Sequence, residues 1–407
     1  MMAGLRLVTN PFLLALLAIN LAASHHADTR DYAKSWDQIR SAISRGYYAR
    51  DTRRDEMEKL LDKYGAIASA AKNDQQFDGA VRAMIAAFGD SHFDYLTKDE
   101  QGFYLMDGLS RGEKAAQMPE IGAWFKSGPN GYTVGMVLND SQAERAGLRV
   151  GDLVKSVDGV PFSPIQALAP LVDKQATFEV QRGDQTLSLK MSVQSERAME
   201  MFLDATRSST KIIEKNGRKI GYFHLWTLAN TEFQSSLANA VYGKLSRTDA
   251  FILDLRDGFG GRPEGYADPF FRPEVKLDWK FPQYTNHELF GYQRPLVVLI
   301  NGGSRSAKEV LSFILKKSKR AKLLGATTAG NVLGTFPQRM DEDSYLEIPI
   351  VDVAADGQRL EGVGVTPDVR IVPEYDRDGK DRVLEAAIRD LENVKTETGK
   401  LPNAAQD

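Results

Sequence analysis

The chain has 407 residues, no cysteine, and a net charge of −3 from 52 basic and 55 acidic side chains. That balance gives no electrostatic case for nucleic acid, and the missing thiol excludes cysteine nucleophiles, disulfides, thiolate zinc sites and a lipid-modified cysteine. Apolar content of 42% and charged content of 26% are those of a soluble globular chain, long enough for two or three domains and a real core.

The elements follow in chain order. "PFLLALLAINLAAS" (11–24) is an apolar run of signal-peptide length behind Arg6, with small residues at Ala22-Ala23-Ser24. It predicts a signal peptide over 1–24, cleavage near Ser24 and a periplasmic or secreted protein starting near His25. No stable membrane span then remains; the alternative is an N-terminal membrane anchor. Residues 28–115 form a helical N-terminal region. "WDQIRSAISRGYY", "EMEKLLDKYGAIASAA" and "FDGAVRAMIAAFGDSHFDYLT" carry apolar residues at helical spacing, and Gly89 stops the last helix.

Residues 116–195 turn β-rich, with short strands such as "GYTVGMVL" and "ATFEVQR" and one short helix, "DSQAERAGL", closed by Gly147. Val150 and Leu153 read as core. Residues 196–380 alternate strand and helix. "KIGYFHL", "AFILDL", "PLVVLI" and "AKLLGA" are apolar runs expected of strands buried on both faces. Phe233, Leu237, Ala240, Val241 and Leu245 share one helical face. The result is a multi-domain α/β chain. Segments 257–294 and 325–343 read as long loops of functional length. "DRVLEAAIRDLENV" is a closing helix within a 381–407 helix and tail, whose last residues read as disordered.

Candidate chemistry gathers at strand ends. Ser306 lies in "LINGGSRSAKEVLSFIL", between a strand, a Gly302-Gly303 turn and a helix. Ser306 and Glu309 have capping-box spacing. The same geometry also holds a hydroxyl out at the C-terminal edge of a sheet, where open α/β folds place ligands. The pattern is not G-x-S-x-G, which argues against a standard hydrolase elbow. "LDLRDGFGGR" supplies a second glycine turn, and its amides, with that of Ala307, are suited to hold an oxyanion.

A serine hydroxyl needs a base, and histidine has the pKa for it. His25 and His26 lie at the cleavage site, His224 in a strand and His287 in a long loop. His92, in "GDSHF", follows a helix-ending glycine and sits on a loop. There is no H-E-x-x-H, P-loop or G-x-G-x-x-G unit, so neither a metal nor a nucleotide cofactor is expected.

Five stretches, taken together, resemble the tail-specific, or carboxyl-terminal processing, serine protease family. They are residues 121–162, similar to its PDZ domain, then "GYFHLWTL", "ILDLRDGFGG", "VVLINGGSRSAKE" and "EGVGVTPDV" in the family's order. The resemblance implies a ClpP/crotonase-like core with Ser306 as nucleophile, in the third place of an S-A-S-A-S-E pattern. It makes Gly260 or Gly261 an oxyanion donor beside the Ala307 amide. The family's dyad lysine is missing, and Asn331 stands in the matching stretch. The tricorn-core-like branch uses a Ser-His pair and a late glutamate instead. It implies Ser91, His92 and Glu361, with Glu361 steadying the imidazole directly or through Ser91.

The expected activity is therefore an exported serine endopeptidase acting on peptides or unfolded proteins. Their C-termini would be held by the PDZ around Ile121-Gly122-Ala123. The alternative is an inactive peptide-binding scaffold of the same fold. The sequence leaves the oligomeric state open.

Overall fold

The computed structural model describes residues 30–271, 277–280, 282–283, 285–288 and 291–393. The expectations for the 11–24 run, His25, His26 and the final tail lie outside the described residues. So does the side chain of His287.

Three helices, Tyr32–Gly46, Arg54–Ser69 and Asp74–Phe88, come first among the described residues. Asp31 accepts the Lys34 amide at 3.0 Å and Asn73 accepts the Gln76 amide at 2.9 Å, so the first and third helices start on side-chain caps. Gly89, at φ 71°, ends the third helix in the left-handed conformation, as its position predicts. The apolar faces of these helices bury Ile39, Leu61, Phe77, Val81 and Met84 together with Leu346 and Ile348 from far along the chain.

Those last two residues belong to a sheet that the sequence reading missed. Strands Asp94–Thr97, Ser344–Val351 and Gly334–Arg339 pair antiparallel in that order. Part of the stretch read as a loop over 325–343 is thus a strand. Pro337 breaks its pattern, and an edge strand tolerates proline because one side needs no ladder bond. The sheet ties the N-terminal helices to the late part of the chain. Its register sets Asp94 opposite Glu347.

The β module is a sheet in the order Ala123–Gly128, Gly131–Val137, Leu153–Val157, Gln175–Arg182, Gln185–Ser192. Phe125 and Phe162 meet at 4.8 Å in its core, beside Phe178 and Val180. Val150 departs from expectation: it is exposed, because it sits on the turn after Leu148 rather than in a strand. Strand Ala123–Gly128 is an edge strand, yet the start of its edge is covered. The buried Gln101 side chain donates to the Ala123 carbonyl at 3.0 Å and accepts the Phe125 amide at 2.9 Å. These are two of the outward backbone groups an added strand would use. The Gly122 amide is likewise taken, by the buried carboxylate of Glu120.

The third unit is a six-stranded sheet ordered Lys211–Lys215, Arg218–His224, Ala250–Asp254, Leu296–Ile300, Lys322–Gly325, Val369–Arg370. The first pair is antiparallel and the rest are parallel. Alternate side chains go to opposite faces. Phe251, Leu253 and Val298 pack with helices Ala198–Ser208, Thr231–Asn239 and Ala307–Lys317; Ile252, Val297 and Leu299 pack under helix Arg382–Asn393. Burial on both faces explains the unbroken apolar runs. Each large side chain so buried contributes about 1.5–3 kcal/mol. Among the described residues no helix is long and apolar enough to cross a membrane.

Candidate active site

Two neighbouring parallel strands end on the same edge of the six-stranded sheet, at Asp254 and Ile300. Each runs into a glycine turn, and Asn301 stitches the turns together. Its side-chain oxygen accepts the amides of Asp257 at 3.1 Å, Gly303 at 2.9 Å and Ser304 at 3.1 Å. Ser304 is fully buried and donates to the Leu255 carbonyl at 2.8 Å. The residue that emerges from this knot is Ser306.

Ser306 sits at φ 58°, ψ −129°, a region that side chains other than hydrogen rarely occupy. Its backbone therefore takes a sharp, strained turn without the G-x-S-x-G pattern. The turn is held by its amide, which donates to the Asn331 carbonyl at 2.7 Å and to Glu309 at 3.2 Å. Ser306 and Glu309 form the expected capping box, and the Glu309 amide also reaches the Ser306 carbonyl at 2.8 Å, so the cap does not rest on the hydroxyl alone.

Gly260 packs directly on Ser306. A methyl group built on it would lie 2.6 Å from the hydroxyl oxygen and 3.1 Å from the Ala307 nitrogen. Only glycine fits there. Gly261, at φ 135°, would meet the Leu228 carbonyl. The Leu228 and Arg262 amides and the Thr227 hydroxyl anchor this turn through the carbonyls of Gly260 and Leu228. The amides of Gly260, Gly261 and Ala307 have no hydrogen-bond partner among the described residues. These unspent donors beside one hydroxyl are what an oxyanion requires.

His92 reaches the same cleft, a cavity of about 1470 Å³ that Ser306, Gly260, Gly261 and Phe259 also line. Its turn is fastened at Asp90, which accepts Tyr47 at 2.5 Å, Tyr48 at 3.0 Å and Arg53 at 2.9 Å. Strand Asp94–Thr97 then fixes the next residues against Ser344–Val351. The Ser91 hydroxyl lies 3.1 Å from His92 Nδ1, which leaves Nε2 for the cleft. Burial, with a further push from the Arg305 guanidinium, lowers the imidazole to about 4, so it is neutral near pH 7 and able to accept a proton.

Glu361 is placed differently from the expected role. Its carboxylate accepts the amides of Val332 and Leu333, at 2.5 and 3.1 Å. Among the described residues no hydrogen bond joins it to His92 or Ser91. It braces the segment whose Asn331 carbonyl holds Ser306, and so lies on the Ser306 side of the cleft. Asn331, in the place matched to the family lysine, is thus a backbone neighbour of Ser306.

Lys308 is fully buried and donates to the Asp257 carbonyl at 2.5 Å. Burial lowers it to about 7. His224 is buried in a strand, as expected, with Nε2 3.0 Å from the Arg256 carbonyl.

The carboxylate that sequence reasoning missed is Glu347. It lines the cleft with His92 and Ser306 and accepts Thr335 at 2.8 Å. Burial and then Asp94 raise its carboxyl, countered by the Thr335 bond, to about 7. No motif marks it. Its one signal is an acidic residue among the apolar positions of "SYLEIPIV". Among the described residues no cluster of three or more His, Asp or Glu is arranged to hold a metal.

Comparison with known proteins accords with this geometry. Residues 219–371 match peptidase family S41, and residues 134–182 match a PDZ domain. A probable CtpA-like serine protease of Staphylococcus haemolyticus (strain JCSC1435) is 25% identical over 320 residues, covering 73% of this chain and 60% of that protein. This chain therefore spans about three fifths of that relative's length. The carboxy-terminal processing protease CtpA of Bacillus subtilis (strain 168) is 25% identical over 357 residues, 81% of this chain and 72% of the relative. Among solved structures, the photosystem II D1 C-terminal processing protease superposes with a TM-score of 0.52 at 21% identity, covering 86% of this chain and 95% of that one. The tricorn protease gives 0.53 at 18% identity, covering 89% of this chain and 37% of its own. Those two likenesses bear on the fold.

Proposed function

The chain belongs to peptidase family S41, and on that premise we propose that it is an exported serine endopeptidase cutting peptides or unfolded proteins. Ser306 is the nucleophile and His92 the general base. Nε2 takes the hydroxyl proton as Ser306 attacks the carbonyl carbon, then returns it to the leaving amine. The amides of Gly260 or Gly261 and of Ala307 bind the oxyanion. Ser91 orients the imidazole, and Glu361 keeps the Ser306 turn in place. One observation carries the reading: a strained serine with unspent amides beside it shares a cleft with a neutral histidine.

The test is a serine-directed fluorophosphonate probe on the full-length protein expressed in a bacterial host. The expected product carries one label, at Ser306, on a chain whose intact mass shows cleavage near Ser24. Absence of labelling leaves the peptide-binding scaffold as the reading. A labelled chain that still carries residues 1–24 overturns export by signal cleavage alone.

Glu347 gives a pH prediction. Its carboxyl is neutral below about pH 7 and charged above. A negative charge in the cleft favours the protonated imidazole that forms during attack. We predict that kcat/KM rises through pH 7, by about tenfold if the coupling is one pKa unit. In Glu347→Gln the step should vanish, leaving only the acid limb set by His92 near 4. A step that persists unchanged in the variant removes Glu347 from the mechanism.

A further inference from the structure

Arg305 immediately precedes the nucleophile, where the family pattern has alanine. Its guanidinium lies over the Phe259 ring, 4.8 Å from the centroid, and it lines the same cleft as Ser306 and His92. Stacking of this kind fixes the plane and leaves the N–H edge open. Of the three other arginines of the cleft, Arg262 has no ion pair or side-chain hydrogen bond among the described residues but does not stack on the ring beside Ser306, and the other two are engaged. Arg111 lies 3.6 Å from Asp107, and Arg339 donates to the Glu342 carbonyl at 3.1 Å. The Arg305 guanidinium has neither an ion pair nor a hydrogen bond among the described residues. Asp94 and Glu347 feel its charge, yet neither closes an ion pair with it, and burial raises both carboxyls.

A partly buried guanidinium with an open donor edge is suited to a carboxylate, which it binds through two parallel hydrogen bonds. We propose that Arg305 receives a carboxylate of the substrate, so that the cleft selects peptides carrying that group beside the scissile bond. The group is either an Asp or Glu side chain or a free C-terminus. This deepens the endopeptidase reading above, and its selectivity part rests on it. Occupation also bears on the base. The Arg305 charge is one of the two influences that lower His92, so a bound carboxylate restores part of the imidazole's basicity.

Binding is measured first on the full-length Ser306→Ala protein, where no turnover intervenes. Fluorescent peptides differ only in Glu against Gln, or in a free against an amidated C-terminus. The expected result is a preference of roughly 10- to 100-fold for the acidic partner in one of the two pairs, the scale of one charge-assisted contact. Which pair responds identifies the source of the carboxylate.

Adding Arg305→Gln should abolish the preference while leaving the neutral peptide within about threefold. Arg305→Glu should reverse it toward Lys. Equal affinities within both pairs, or a preference that survives Arg305→Gln, overturns the proposal. Cleavage sites are then mapped on a peptide library with Ser306 intact. A library left uncut overturns the endopeptidase reading, whereas the binding result stands or falls without it.

Discussion

Ser306→Ala should lower kcat/KM on an unfolded protein substrate by at least about 10⁴-fold while the protein stays folded. The magnitude follows from what remains: binding and the oxyanion amides still act, but no acyl-enzyme forms. The folding control is unusually clean here. Ser306 lies at φ 58°, ψ −129°, and alanine has the same Cβ, so the strain is unchanged. The hydroxyl is one part of the cap on the following helix, but Glu309 still holds the Ser306 amide and the Ser306 carbonyl still holds the Glu309 amide when it is removed. The thermal midpoint should therefore move little. Ser306→Gly should be equally inactive yet more stable by about 1–2 kcal/mol, since glycine releases the strain. An alanine variant that keeps even a tenth of the activity sinks the nucleophile assignment. A glycine variant no more stable than wild type shows that the turn is unstrained.

The second large effect is expected at His92, and the substitution must respect its backbone. His92 has φ 54°, a conformation that asparagine tolerates better than alanine. His92→Asn should cost about 10⁴-fold in kcat/KM, as loss of a general base does. It should not add to Ser306→Ala, because the two groups act as a unit. In the variant the fluorophosphonate reaction of Ser306 should slow in parallel. A loss under about 100-fold, or full additivity with Ser306→Ala, points to another base.

Ser306 and His92 stood out in the sequence because each stands next to a strong local signal. Ser306 follows an apolar run and two glycines; His92 follows the glycine that ends a helix. The six-stranded sheet was legible for a similar reason, since strands buried on both faces leave unbroken apolar runs. Glu347 was not legible. It becomes part of the site through the pairing of strand 344–351 with residue 94, some 250 positions upstream, and loop-like residues flank that strand. Asn301 was hidden too, because its work is to bind backbone amides across a turn, and any short polar residue in a turn looks the same. Glu361 was expected to steady the imidazole; its partners are the amides of residues 332 and 333, which carry no side-chain signature. Val150 misled because apolar character alone does not distinguish a turn from a strand.

The filled edge of strand Ala123–Gly128 changes what recruitment by the β module can mean. Gln101 satisfies two of the backbone groups that a visiting strand would seek at the start of this edge, and Glu120 satisfies the glycine amide beside them. A visitor there must first evict residents of the same chain. Its apparent affinity is the intrinsic affinity scaled by the fraction of molecules in which those residents have left. Gln101 also lies nine positions after His92, across a single short strand. The segment that seals the module's edge is therefore the one that delivers the imidazole.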